Sequence, residues 1–187
     1  YSYSFSEELL QAWDWSEYFA GQPETLRYLG FVADKFNLRE HMQFGCTVKS
    51  AVFDESRSVW KIFLQDGRSL TSNILLTAIG MLSAPTLPNI EGVSAFQGES
   101  FHTYHWPKQP VELQGKRVAV IGTGATGVQV IGDIADKVDS LTVFQRRPNW
   151  CAPLKNKPID ATAMAEIKAS YDEIFEKCKA TPGGFLH

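Results

Sequence analysis

At 187 residues the chain is long enough to bury one good hydrophobic core or two small ones. Its apolar content of 44% and charged content of 21% are those of an ordinary globular protein. A formal net charge of -3 argues against nucleic acid as a partner, since that role calls for a basic face.

Residues 1–21 are rich in aromatics and lack clean periodicity. Ser6 with Glu7 and Glu8 reads as a helix start, the serine as cap and the acids favoured by the dipole. Trp13, Trp15, Tyr18 and Phe19 read as packing residues rather than as a binding platform. The spacing predicts a helix over 22–36, opened by Pro23 and Glu24, with Leu26, Leu29, Val32, Ala33 and Phe36 on one face.

From Met42 the period changes. Short β-rich runs are punctuated by 54–57 (DESR) and by Asp66-Gly67, which predicts a β-meander with both faces covered. A buried strand is expected over 74–78, and Pro85, Pro88 and Gly92 then mark a loop and a boundary. The apolar run 74–82 is far short of the roughly 20 residues a membrane span needs. Cys46, Cys151 and Cys178 are widely spaced, with no Cys-x-x-Cys. They read as free thiols of a reducing compartment, not as a disulfide framework or a metal site.

Residues 116–147 read as a β-α-β unit: an apolar strand at 118–121, a turn at 122–127 (GTGATG), a helix at 128–138 and a second strand at 141–144. In such a turn Gly122 allows the tight bend, Gly124 lets the backbone approach a pyrophosphate, and Gly127 lets helix and strand pack closely. The helix start offers unpaired N–H groups and a positive dipole end to the phosphates. Where an acid would accept bonds from a ribose 2′-hydroxyl, the chain has Arg146 and Arg147. Two guanidinium groups suit a 2′-phosphate, so NADP(H) is expected rather than NAD. A further helical stretch follows at 160–179.

The stretch 96–107 (FQGESFHTYHWP) lies directly ahead of this unit, with spacing Phe-x-Gly-x-x-x-His-x-x-x-Trp-Pro. Together with the glycine turn it resembles the fingerprint of type I Baeyer–Villiger monooxygenases, flavin enzymes that convert ketones to esters or lactones. The Trp106-Pro107 ending favours that family over the related N- and S-oxidising monooxygenases. The segments YSFSEELLQAWDW, QPETLRYLGFVADKF, VIGTGATGVQV, VFQRRPNW and TPGG are similar to family segments in the same order, so the resemblance covers nearly the whole chain.

The resemblance implies an α/β flavoprotein with two Rossmann-like dinucleotide-binding domains, for FAD and for NADP, each partial here, with a β-meander and the start of a helical insert. It assigns residues 1–83 to the FAD domain, 84–114 to a linker carrying the fingerprint, 115–150 to the NADP domain and 151–187 to the insert. The implied chemistry places one oxygen atom of O2 next to a ketone carbonyl by way of a C4a-peroxyflavin, at the expense of NADPH. NADP would be held by Gly122, Thr123, Gly124, Ala125, Thr126, Gly127 and Gln129 at the pyrophosphate, and by Arg146 and Arg147 at the 2′-phosphate. Tyr1, Val48, Gly80 and Met81 align with positions near FAD. Met81 stands where another member carries Gln, which implies a more apolar pocket.

No residue of the chain is expected to be catalytic in itself, and no metal is expected. The FAD glycine turn and the family's active-site Arg are expected outside these residues, and the chain alone is expected to be an inactive internal fragment. Of the fingerprint residues Phe96, Gly98, His102, Trp106 and Pro107, His102 invites a catalytic role. It lies on the linker, however, with no carboxylate at a set spacing to orient it as a base; its expected role is conformational. The partners implied are a ketone and O2, with no nucleic acid or membrane, in a cytoplasmic monomer or weak oligomer. The alternatives are an N- or S-oxidising flavin monooxygenase and a non-catalytic nucleotide-binding module.

Overall fold

A computed structural model of the chain describes residues 2–184, and its first helix starts where the sequence supplies a cap. Ser6 is extended and its Oγ accepts the Leu9 N–H at 3.2 Å, which starts α1 (Glu7–Ala12) and turns Leu9 and Leu10 inward. Pro23 sits in the first turn of α2 (Gln22–Lys35), and Asn37, left-handed at φ 50°, ends the chain's helical path. The face α2 buries is Glu24, Tyr28 and Val32, spaced one turn apart. Leu26, Leu29 and Phe36, expected inward, are exposed. The aromatic pocket of Trp13 and Trp15 sits against Tyr28, with ring centroids 5.3 and 4.9 Å away.

The meander forms as β1 (Val48–Asp54), β2 (Val59–Leu64) and β3 (Ser69–Ser72), antiparallel and in sequence order. Phe53 faces Trp60 across the first pair, their rings 5.3 Å apart, a contact that helps set the register. Gly67 at φ 89° makes the second turn. The expected covering of both faces is not found: Leu64 is the buried residue of these strands, and Val48, Val52 and Leu70 are exposed.

The expected strand at 74–78 is likewise absent. A strand exists by pairing, and no described strand runs beside this segment, so Ile74, Leu76 and Ile79 stand exposed in irregular backbone. Further on, β4 (Arg117–Ile121), α3 (Ala125–Ile134) and β5 (Ser140–Phe144) make one βαβ unit. Its strands are parallel, in register from Arg117 against Ser140 to Ile121 against Phe144.

The expected helical stretch at 160–179 is two helices, α4 (Ala161–Ala169) and α5 (Tyr171–Lys179). The hydroxyl of Ser170 donates to the Glu166 carbonyl at 2.8 Å and interrupts the ladder. Asp160 caps α4 by accepting the Ala163 N–H at 2.8 Å.

The chain divides into two units. One runs up to Asn73 and resumes at Pro153; the other is Ile74–Ala152. In the first, Met164 and Tyr171 from the C-terminal helices join Leu9, Leu10, Trp15, Ala20, Tyr28 and Val32 in a single core. Backbone bonds from Ile159 N–H to the Ser16 carbonyl (2.8 Å) and from Tyr18 N–H to the Lys157 carbonyl (3.3 Å) seam the two segments together. Lys168 adds an ion pair to Asp14 at 2.5 Å and donates to the Gln11 carbonyl. The buried Glu24 carboxylate is satisfied by the Ser16 N–H at 3.0 Å and the Ser16 hydroxyl.

Candidate functional site

The glycine turn lies at the C-terminal end of β4, and its backbone explains its residues. Gly122 has φ 109°, a conformation L side chains rarely adopt, and its N–H donates to the Phe144 carbonyl at 2.8 Å. That bond fixes the turn against the end of β5. A Cβ at Gly127 would stand 2.5 Å from the Gly122 carbonyl oxygen, so helix and turn approach as closely as they do only because the side chain is missing. Gly124 is the N-cap of α3 and supplies no side-chain cap, while the space its Cβ would enter is open. The first N–H groups of a ten-residue helix therefore point past Gly124 with no described side chain closing them off.

Thr123, Ala125 and Thr126 complete the turn, and Gln129 follows Ala125 by one helical turn on an exposed face. Arg146 and Arg147 follow β5 after Gln145, at the same C-terminal edge of the two-stranded sheet as Gly122. Both are exposed, and neither forms an ion pair with a described residue. The Arg147 carbonyl lies 3.5 Å from the Thr123 hydroxyl, and the Asn149 side-chain amide donates to the Thr123 carbonyl. Asn149 was not foreseen from the sequence. Its signal is position alone, a short amide-bearing side chain a few residues past the strand that neighbours the turn.

The fingerprint is a folded stretch with its own internal contacts. A Cβ at Gly98 would stand 2.7 Å from the Phe96 ring, so the glycine makes room for that phenyl group. Phe101 and Trp106 meet edge to face at 5.0 Å. His102 is the N-cap of a 3-10 turn, Thr103–His105, and its Nδ1 accepts the Tyr104 N–H at 3.0 Å. A neutral ring in that role carries its proton on Nε2. Trp106 lines a cleft of about 560 Å³ together with Val111, Leu113, Ile134 and Lys137. The cleft is at the C-terminal end of α3, roughly 15 Å along the helix from the glycine turn at 1.5 Å per residue. Pro107 lines a neighbouring cleft with Phe101 and Lys116.

The residues expected near FAD are shared between the two units. Val48 begins β1 in one unit, just before a β-bulge, and Gly80 (φ 68°) and Met81 (91% exposed) stand in the irregular stretch of the other. Tyr1 lies outside the described residues. Among the described residues no cluster of His, Cys, Asp or Glu could hold a metal ion, and no helix is long and apolar enough to cross a membrane.

Comparison with known proteins adds the following. The family described as FMO-like, flavin-binding monooxygenase-like, matches residues 10–163. The chain is 41% identical to a 2-oxo-Delta(3)-4,5,5-trimethylcyclopentenylacetyl-CoA monooxygenase of Pseudomonas putida, over 99% of this chain and 35% of that protein. It is 42% identical to the acetone monooxygenase (methyl acetate-forming) of a Gordonia species, again over 99% and 35%. A phenazine N-monooxygenase of Lysobacter antibioticus is 39% identical over 94% of this chain and 32% of its own. Among solved structures, an oxidised steroid monooxygenase bound to NADP superposes with a TM-score of 0.90 at 44% identity, over 100% of this chain and 36% of that one. OTEMO in complex with FAD and NADP gives 0.89 at 42%, over 97% and 35%. The chain thus spans about a third of the length of the relatives it matches.

Proposed function

This chain belongs to the flavin-binding monooxygenase-like family, and from that premise we propose that the protein carrying it is an FAD- and NADPH-dependent Baeyer–Villiger monooxygenase. It would insert one atom of O2 beside a ketone carbonyl to give an ester or lactone. The observation that carries the reading is that one folded unit, Ile74–Ala152, holds the 96–107 fingerprint directly ahead of a glycine turn shaped for a pyrophosphate. A relative named for acetone oxidation and structures bound to FAD and NADP support it.

The turn fits its proposed ligand. Gly122 and Gly127 have no room or no conformation for a side chain, and the open space at Gly124 leads to the N-terminus of α3. In this reading Gly122, Thr123, Gly124, Ala125, Thr126 and Gly127 hold the NADP pyrophosphate through backbone N–H groups, and Gln129 adds its amide. Arg146 binds the 2′-phosphate by charge-assisted hydrogen bonds, with Arg147 beside it. Bound NADPH and FAD would supply the hydride and the activation of O2. The residues of this chain orient the nicotinamide cofactor, exclude water and set its preference; none of them is assigned to the reacting centre. Val48, Gly80 and Met81 are read as flavin-side positions, and Phe96, Gly98, His102, Trp106 and Pro107 as a conformational joint. The 15 Å or so separating the Trp106 cleft from the glycine turn supports that reading. The domain reading is 1–83 for FAD, 84–114 for the joint, 115–150 for NADP and 151–187 for the start of an insert. The free Cys46, Cys151 and Cys178 suit a reducing, cytoplasmic setting, and a monomer or weak oligomer is proposed.

An N-oxidising relative at 39% identity favours one second reading, oxygen transfer to nitrogen or sulfur. The test is product analysis on the full-length protein with FAD, NADPH, a cyclic ketone and a tertiary amine. A lactone from the ketone is the expected result. Amine oxide with no lactone would give the second reading the place of the first, and a protein without flavin absorbance would leave only a nucleotide-binding module.

A further inference from the structure

The fingerprint stretch is fastened to segments on both sides of it. Toward β4, Lys116 pairs with Glu99 at 3.0 Å, an exposed ion pair of small energetic weight. Toward the N-terminal side, the Tyr104 hydroxyl donates to the Ser83 carbonyl at 3.1 Å, across 21 residues of sequence. This second tie is the more directed of the two. The Tyr104 backbone is held by its N–H bond to His102 Nδ1 at 3.0 Å and by the His105 N–H bond to the His102 carbonyl at 2.8 Å. Its ring stands edge to face against His105 at 5.0 Å. The phenol reaches from this turn to a carbonyl two residues from Met81. The segment it reaches has no regular structure, and Leu76, Ile79, Met81 and Leu82 are all largely exposed. A single well-placed bond can therefore bias where this segment sits.

We infer that Tyr104 is a positioning residue whose hydroxyl ties the segment 80–83 to His102 of the fingerprint, so that movement of the fingerprint is passed to that segment. The inference rests on the reading of Gly80 and Met81 as flavin-side residues. Tyr104 would not touch substrate or cofactor. It would set the distance of Met81 from them.

The test uses the full-length flavin-loaded protein and Tyr104→Phe, which keeps the ring and removes the donor. Ser83 is exposed, so water can take over its carbonyl and the fold survives. Deuterium uptake in 79–88 is expected to rise while uptake in 117–144 stays as in the wild type. Ketone KM is expected to rise, or product formed per NADPH to fall, by about fivefold, the worth of one neutral hydrogen bond. The KM for NADPH and the flavin content should not change, which a general loss of structure would not allow. Unchanged uptake in 79–88 overturns the inference, as does a variant that matches wild type in both ketone KM and coupling. In those cases an active wild-type enzyme leaves the functional reading standing. A wild-type protein that holds no flavin overturns both.

Discussion

Gly127 is the residue at which the glycine turn tolerates least. Its absent side chain leaves the Gly122 carbonyl in the space a Cβ would fill, 2.5 Å away, and the obstacle is backbone. Gly127→Ala must push α3 off the turn. The expected result is a loss of about 1–3 kcal/mol of stability, the usual cost of overpacking, and an NADPH affinity at least tenfold weaker by fluorescence titration. Arg146 acts differently, because it is exposed and leaves the fold alone when removed. Arg146→Ala is expected to weaken NADPH binding by a factor on the order of 10 to 100, from the 1.5–3 kcal/mol that a charged hydrogen bond contributes. NADH binding should hardly change. Equal losses for the two nucleotides would show that Arg146 does not read the 2′-phosphate. The places of both residues in the backbone were legible in the sequence, since turn spacing and the residues after the second strand depend on local backbone geometry. Asn149 and Tyr104 were not, because their bonds to Thr123 and Ser83 cross more than twenty residues.

At the scale of the element, the meander shows what a hairpin signal can and cannot say. Asp54 and Asp66-Gly67 marked both turns correctly because the turn residues bond to their own neighbours. The covering of the sheet faces was not readable, since it depends on elements elsewhere. Asp54 makes the first turn sensitive to pH. The Lys61 ammonium at 2.7 Å, and after it the Ser56 hydroxyl, hold its carboxyl below the usual carboxylate range. A lowered folded-state value stabilises the turn above the unfolded value, and that stability drains away as pH falls below about 3.8 toward the folded one. The melting temperature of the wild type should accordingly drop more steeply below pH 3.8 than that of Asp54→Asn, with the two curves parallel between pH 5 and 8. Curves that stay parallel into acid would exclude the ion pair as the cause. The segment 74–78 failed for the reason the meander faces did. Its apolar run fits a buried strand, but pairing decides whether a strand forms.

For the whole molecule, the informative contact is the return of the C-terminal helices to the N-terminal core. Met164 and Tyr171 are buried beside Leu9, Trp15 and Tyr28, although more than 130 residues separate them in the chain. Met164→Ala in the full-length protein is expected to cost about 2–5 kcal/mol, seen as a lower melting temperature with nucleotide affinity unchanged. A loss under 1 kcal/mol would mean that the helices add little to that core.

The sequence by itself determined the α/β class, the two turns of the meander, the cap of α1, the start of α2, the glycine turn and the fingerprint that marks the family. Each of these rests on residues close in the chain, where spacing translates directly into backbone geometry. Only the tertiary structure decided which face of α2 is buried, that 153–184 completes the N-terminal core, and that Tyr104 reaches Ser83. Those contacts join residues far apart in sequence, and burial is a property of what comes to lie against a side chain rather than of the side chain itself.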